Sequence, residues 1–164
     1  MKTFAINTLG CKVNQYESQQ FRELFEQAGL LSAGPGEVAD IVVVNTCCVT
    51  HTASSKRRQS IRRAQKRHLG AAIVVAGCLP VSFSHELEKI SDNIHIIGQK
   101  NETVSKISNL IGNGADNFSQ LPAITAFKGQ CRAFLKVQDG CDGACTYCII
   151  PQIRTSVCNK NVKS

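Results

Sequence analysis

Short apolar runs alternate with amphipathic stretches along this chain, a pattern typical of β-α-β units and a parallel sheet. The apolar runs are rich in β-branched residues and too short for helices, so they predict four buried strands, at 4–7, 41–45, 71–77 and 94–97. The stretches between and after them predict helices at 14–28, 52–68, 85–90 and 101–111. Together these elements predict an α/β fold, a Rossmann-like open parallel sheet with flanking helices.

The first helix has the clearest boundary signals. Asn14 followed three residues later by Glu17 resembles a capping box, and Gly29 is expected to end the helix. Apolar residues at i, i+3, i+4 and i+7 form its buried face: Phe21, Leu24, Phe25 and Ala28.

A polar segment rich in glycine and asparagine follows the last of these helices and predicts a linker over 112–125. It separates a first domain, 1–111, from a second that begins at 126 and runs to 164. In the second domain, alternating residues at 132–138 predict a strand. A length of 164 residues agrees with one domain and part of another, since domains usually have about 100 to 200 residues.

Composition narrows the class of protein. With 43% hydrophobic and 19% charged residues, the chain has enough apolar material to fold. It has no apolar run of the ~20 residues that a membrane helix needs, and no signal peptide is recognisable, so we expect no membrane association. Its nine cysteines are too sparse for a disulfide scaffold. A cytoplasmic location, with thiols that bind metal or act in catalysis, is expected.

Three cysteines follow three of the predicted strands: Cys11, Cys47 and Cys78. Because parallel strands place their carboxyl ends at one edge of a sheet, where ligands bind in open α/β folds, these thiols are expected to converge. Three thiolates suit a tetrahedral zinc ion or an iron–sulfur cluster with one iron free of protein ligands. The alternative is that each is an ordinary buried cysteine.

A second set of cysteines is local, with the spacing C-x3-C-x2-C: Cys141, Cys145 and Cys148. Zinc sites usually pair cysteines two by two, whereas three thiolates within eight residues suit three corners of a 4Fe-4S cluster. Gly140 and Gly143 permit the backbone to bend closely around such a cluster. The alternative is a chance group of thiols in a turn.

The triple with its aromatic residue, Cys-x3-Cys-x-Tyr-Cys, resembles the signature of radical S-adenosylmethionine (SAM) enzymes. Four segments resemble the methylthiotransferase subgroup: Thr8-Leu-Gly-Cys11-Lys-Val-Asn-Gln-Tyr-Glu-Ser18, Asn45-Thr-Cys47-Cys-Val-Thr50, Ala76-Gly-Cys78, and Arg132 to Pro151. Gly10 to Asn14 with Glu17-Ser18 is most similar to the branch that modifies N6-threonylcarbamoyladenosine at position 37 of tRNA. Cys48, next to a proposed ligand, is expected to be structural, with substitution for a cluster ligand as the alternative. Cys131 and Cys158 match no ligand of the family and are expected to be free thiols.

The resemblance implies two 4Fe-4S clusters and SAM as cofactors. The cluster on Cys141, Cys145 and Cys148 would pass one electron to SAM, with Tyr147 near the SAM adenine. The cluster on Cys11, Cys47 and Cys78 would supply the sulfur that is methylated and attached to C2 of adenine. The implied partners are tRNA and an electron donor such as flavodoxin or ferredoxin; the oligomeric state stays open.

The second domain resembles only the first strand and cluster loop of a radical SAM (β/α) barrel. After Pro151 the sequence departs from the family pattern, so the chain is expected to be a truncated, N-terminal portion that is not fully active alone. The alternative function is a non-catalytic iron–sulfur or zinc-binding module that contacts RNA or a partner protein. A thiol redox protein is less favoured, because no C-x-x-C pair opens a helix near the N-terminus.

The predicted second helix concentrates the positive charge of a chain whose formal net charge is +7. Its seven cations have no acid between them: Lys56, Arg57, Arg58, Arg62, Arg63, Lys66 and Arg67. Such a run suits binding to the RNA backbone, although a solvated helix face is the commoner role of charge runs.

Overall fold

The computed structural model describes residues 1–47, 53–78, 93–98, 102–112, 121–127 and 134–159. The elements of its first part are β1 (Thr3–Leu9), α1 (Lys12–Gln27), β2 (Leu31–Ser32), β3 (Ile41–Thr46), α2 (Ala53–Arg67), β4 (Ala72–Gly77), β5 (Ile94–Ile96) and α3 (Thr103–Ile111). Three short elements follow: β6 (Gln138–Asp139), α4 (Ile150–Ile153) and β7 (Cys158–Asn159). The predicted short helix at 85–90 lies outside the described residues.

The first five strands form one sheet in the order β2-β1-β3-β4-β5, and every neighbouring pair is parallel. The predicted α/β class and open parallel sheet are therefore confirmed. The run of β-branched residues in β3 explains its central place, because all six of its residues are buried. No helix in the described part of the chain is long and apolar enough to cross a membrane.

Alternating residues of the central strands supply two separate cores. On one face, Val43 and Val74 pack with Phe21, Leu24 and Phe25 of α1, as the helical period predicts, and with Ile107 of α3. On the other face, Val42 and Val44 pack with Ile61 and Ala64 of α2. The apolar positions of α2 are few, so this helix buries a narrow stripe and leaves its described charged residues, from Arg58 to Arg67, exposed.

Helix α1 begins at Lys12, two residues earlier than its predicted start at Asn14. The cap is Cys11, and Asn14 lies in the third helical position, where its side chain accepts a hydrogen bond from the Cys11 N–H at 3.3 Å. Cysteine is not among the usual capping residues, which explains why the sequence signal fell on the asparagine. At the other end, the predicted stop at Gly29 agrees with its left-handed φ of 80°.

The predicted strand at 132–138 is wrong over most of its described part. Residues 134–137 have no regular structure, and only β6 pairs, antiparallel with β7. Leu135 and Val137 remain 87% and 63% exposed, so their alternation reflects no buried face. The segment instead contacts α1 through the Lys136 ammonium group, which lies 5.5 Å from the ring centre of Tyr16.

The end of the predicted linker lies on α1. The Gln20 side chain donates to the carbonyl of Pro122 at 2.9 Å, and the Glu23 carboxylate accepts from the Thr125 N–H at 2.9 and 3.0 Å. Burial raises the pKa of Glu23, but its hydrogen bonds from Thr125, Gln19 and Ala126 outweigh this and lower the pKa overall. The domain boundaries at 111, 125 and 126 stay a prediction.

Candidate metal centre at the carboxyl edge of the sheet

The register of the three central strands brings Cys11, Cys47 and Cys78 to one edge of the sheet. Leu9 pairs with Thr46 and Thr46 pairs with Gly77, so the three strands end in one row. Cys47 and Cys78 follow that row directly, and Cys11 lies two residues past it as the cap of α1. The predicted placement after strand ends is therefore confirmed for all three.

Buried amide groups hold this edge together. The Asn14 side chain donates to Asn45 Oδ1 at 3.0 Å and to the Thr46 carbonyl at 3.1 Å, and the Asn45 side chain donates back to the Asn14 carbonyl at 2.9 Å. The Thr46 carbonyl also accepts from the Cys78 N–H at 2.8 Å. Asn14 Oδ1 lies 3.3 Å from both the N and the Sγ of Cys11. One hydrogen-bond network therefore positions the backbone at Cys11 and at Cys78.

Two glycines allow these backbones to approach. A Cβ atom on Gly10 would lie 2.5 Å from Asn14 Oδ1 and 2.7 Å from the Cβ of Cys47. Gly77 has φ of +92°, and a Cβ there would collide with the Thr46 carbonyl. A larger residue at either position would push the strand ends apart, so glycine is required for the close approach of the strand ends followed by Cys11, Cys47 and Cys78, named here the cysteine edge.

The second set of cysteines occupies a tight loop. Gly143 donates its N–H to Cys141 Sγ at 3.4 Å, and a Cβ atom on this glycine would lie 3.3 Å from Cys141 Sγ and 3.9 Å from Cys145 Sγ. The Cys148 N–H donates to the Cys145 carbonyl at 3.1 Å. The loop thus wraps two sulfurs around a position without a side chain, as the glycine spacing predicts.

Arg154 connects the loop with the cysteine edge. Its Nη1 lies 2.9 Å from Glu17 Oε1 and 2.7 Å from Asp139 Oδ1, and its Nη2 lies 3.7 Å from Cys78 Sγ. Burial lowers the pKa of this guanidinium, but its hydrogen bond and charge interaction with Glu17 raise it above its ordinary value. This group was not predicted from the sequence, because no local pattern relates an arginine to a glutamate 137 residues away.

The donor sets suit an iron–sulfur cluster in chemistry and in backbone clearance: each set supplies three cysteines, and glycines keep side chains away from the thiols. Among the described residues, no group of three or more histidine, cysteine or acidic side chains has a geometry that would hold a metal ion. The assignment of six metal ligands therefore stays a prediction. Tyr147, predicted to lie near SAM, is 90% exposed.

The basic helix α2 presents its described cations to solvent, namely Arg58, Arg62, Arg63, Lys66 and Arg67. Arg63 and Arg67 line a cleft of about 350 Å³ between α2 and β1, together with Thr8, Ser60 and His68. The His68 ring accepts a hydrogen bond from the Ala39 N–H at 2.9 Å, and burial, helped by Arg67, lowers its pKa. The side chains of Lys56 and Arg57 lie outside the described residues.

An open parallel sheet, three cysteines just after its central strands and a basic helix together define the class of this chain, an α/β domain with flanking helices. Residues 3–98 match the model of the family described as "Uncharacterized protein family UPF0004". The chain belongs to this family.

Sequence similarity to named relatives extends over most of this chain. It is 36% identical over 169 residues to threonylcarbamoyladenosine tRNA methylthiotransferase MtaB of Bacillus subtilis, and 37% identical over 153 residues to the protein of the same name from Chlamydia pneumoniae. It is 30% identical over 165 residues to tRNA-2-methylthio-N(6)-dimethylallyladenosine synthase of Novosphingobium aromaticivorans. These matches cover 94%, 93% and 93% of this chain, but only 37%, 36% and 37% of the relatives.

Proposed function

We propose that this chain provides the cluster-binding and RNA-contacting part of a radical SAM tRNA methylthiotransferase. The reaction is methylthiolation of adenosine 37 of tRNA, converting N6-threonylcarbamoyladenosine to its 2-methylthio derivative. The observation that carries the proposal is the cysteine edge, where three distant thiols follow strands that end in register. The names of the first four relatives support the choice of nucleoside.

The loop cysteines Cys141, Cys145 and Cys148 would hold one 4Fe-4S cluster, whose open iron binds SAM and supplies one-electron chemistry. The exposed ring of Tyr147 would then contact the SAM adenine. The ring is 90% exposed to solvent within the described residues, so it is accessible for such a contact. A flavodoxin or ferredoxin would supply the electron. Since both the electron donor and tRNA would be met in the cytoplasm, we propose that the chain is located there.

The edge cysteines Cys11, Cys47 and Cys78 would hold the second 4Fe-4S cluster. Three ligands would leave one iron without a protein ligand, where the transferred sulfur would be held. In the described part of the chain, each of three neighbouring strands is followed by one such cysteine at the edge. The buried Asn14 and Asn45 amides fix the backbone at the site through their mutual hydrogen bonds.

Iron and sulfide counting after anaerobic reconstitution tests this proposal. We expect about eight irons and eight sulfides per chain, falling to about four when either cysteine set is replaced by alanine. Cys158→Ala is the matched control, since Cys158 is an exposed free thiol outside both sets, and it should leave the count unchanged. Bound zinc without sulfide would contradict the proposal and favour a non-catalytic zinc module.

The cleft between α2 and β1 is the proposed contact for the RNA backbone. Each phosphate contact that is removed should reduce the salt dependence of tRNA binding by about 0.7 to 0.9 in the slope of log K against log salt. We therefore expect Arg63→Gln with Arg67→Gln to reduce the slope more than Arg62→Gln with Lys66→Gln, although both pairs remove two charges. Equal effects would contradict a role for the cleft.

A further inference from the structure

Arg154 lies where three parts of the chain meet. Its guanidinium contacts Glu17 of α1, Asp139 of β6 and Cys78 after β4, and only 12% of its side chain is exposed. Its backbone carbonyl accepts a hydrogen bond from the Cys141 N–H at 3.3 Å. The same residue thus contacts the first cysteine of the loop and the last cysteine of the edge.

The contacts of this group require a guanidinium. Nη1 is shared between two carboxylates, while Nη2 lies 3.3 Å from Glu17 Oε2 and 3.7 Å from Cys78 Sγ. A lysine ammonium is a single point of charge and cannot repeat this forked arrangement. Because a buried charge is stable only with well-placed partners, the fork specifies how β6 and α1 sit against each other.

We infer that Arg154 is a positioning residue: it fixes the Cys141–Cys148 loop against the cysteine edge and donates an N–H to the Cys78 sulfur. This deepens the proposed function, on which it rests, because it sets the placement of one candidate cluster site relative to the other. Neither the family match, which covers residues 3–98, nor the thiol spacing assigns a role to this arginine.

Amide hydrogen exchange on the metal-free chain tests the positioning role. Arg154→Gln should speed exchange in residues 141–148 by about tenfold or more, since a charged hydrogen-bonded pair is lost, and leave β3 unchanged. Arg22→Gln is the matched control: Arg22 is also a partly buried guanidinium of α1, but it contacts Ser32 of β2 and the Phe4 ring of β1, and neither contact involves the loop. Unchanged exchange in Arg154→Gln would overturn the inference.

The conservative variant separates charge from geometry. Arg154→Lys should keep an ion pair with one carboxylate and restore part of the protection of residues 141–148. Equal exchange in Arg154→Lys and Arg154→Gln would overturn the role of the ion pairs. Protection in Arg154→Lys equal to that of the unchanged chain would overturn the role of the fork.

The contact with Cys78 has its own readout. Hydrogen bonds to ligand sulfurs and nearby positive charge raise the reduction potential of a cluster. In the reconstituted chain, Arg154→Gln should therefore lower the reduction potential of the cluster that Cys78 would ligate, and Arg22→Gln should leave it unchanged. Redox titration monitored by electron paramagnetic resonance measures this potential. A potential unaffected by Arg154→Gln would overturn the donor role. Failure to load any cluster would count against the proposed function, but not against the exchange result.

Discussion

The two cysteine sets differ in what holds them. At the cysteine edge, three in-register strands, a pair of buried asparagines and two close glycine contacts position the thiols. In the loop, the thiols are close mainly because they are close in sequence. The main tertiary contacts of the loop are those of Arg154 and the two-residue pairing of β6 with β7. The edge is part of the folded core, whereas the loop is attached to it.

This contrast predicts different responses to damage. A change at the edge disturbs β3 and β4, whose valines form both cores, so it should affect the stability of the whole sheet domain. A change in the loop should affect only local opening, because few buried apolar contacts depend on it. Matched glycine substitutions in the two regions measure this difference directly.

The largest effect is expected for Gly77→Ala. A methyl group there would meet the Thr46 carbonyl, and φ of +92° is unfavourable for alanine. We expect a loss of about 3 to 4 kcal/mol in the free energy of unfolding, measured by urea denaturation followed by circular dichroism.

Gly70→Ala is the control for this variant. Gly70 has a similar φ of +82°, but nothing lies within 4 Å of its added methyl group, so we expect a loss of only about 1 to 2 kcal/mol. Equal losses in the two variants would show that strand-end crowding contributes nothing at the cysteine edge.

Much of the sheet was predictable because β-branched runs such as 41–45 leave few alternatives to a buried strand. Because cysteines come just after these runs, the same pattern also predicted that they lie at the carboxyl edge of the sheet. The hydrogen-bond network behind the edge was not predictable, because Asn14 and Asn45 are 31 residues apart and no local pattern relates the two side chains. The strand β2 has two residues and carries no periodic signal.

The second region was predicted less well for a physical reason. Alternation at 132–138 indicates a strand only if a partner covers one face, and Leu135 and Val137 are exposed instead. The pairing that does occur, Gln138 with Asn159, depends on a return of the chain that no local pattern indicates. Glu17 was interpreted as a capping residue and as part of the family motif, whereas its carboxylate is the main partner of Arg154.

A smaller global effect is expected for Gly140→Ala, the loop counterpart of Gly77→Ala. Gly140 has φ of +80°, and a methyl group would meet the Ser156 carbonyl. Because the loop is attached to the core rather than part of it, unfolding of the sheet domain should change by less than about 1 kcal/mol, while exchange in 141–148 becomes faster. A loss as large as that of Gly77→Ala would show that both regions unfold as one unit.

The smallest effect concerns the segment 121–127, which contacts α1 through Glu23. Because the pKa of Glu23 is lowered in the folded chain, its carboxylate stabilises this contact at pH values above the ordinary glutamate pKa, and the contribution is lost as the pH falls through the lowered pKa. The amide resonance of Thr125 should therefore shift with a midpoint below the ordinary glutamate range. Glu23→Gln should abolish that shift, and Glu26→Gln, at an exposed position one residue before the end of α1, should keep it. A Thr125 shift that persists in Glu23→Gln would assign the pH response to another group. It would contradict the role of the Glu23 carboxylate in holding this segment against α1.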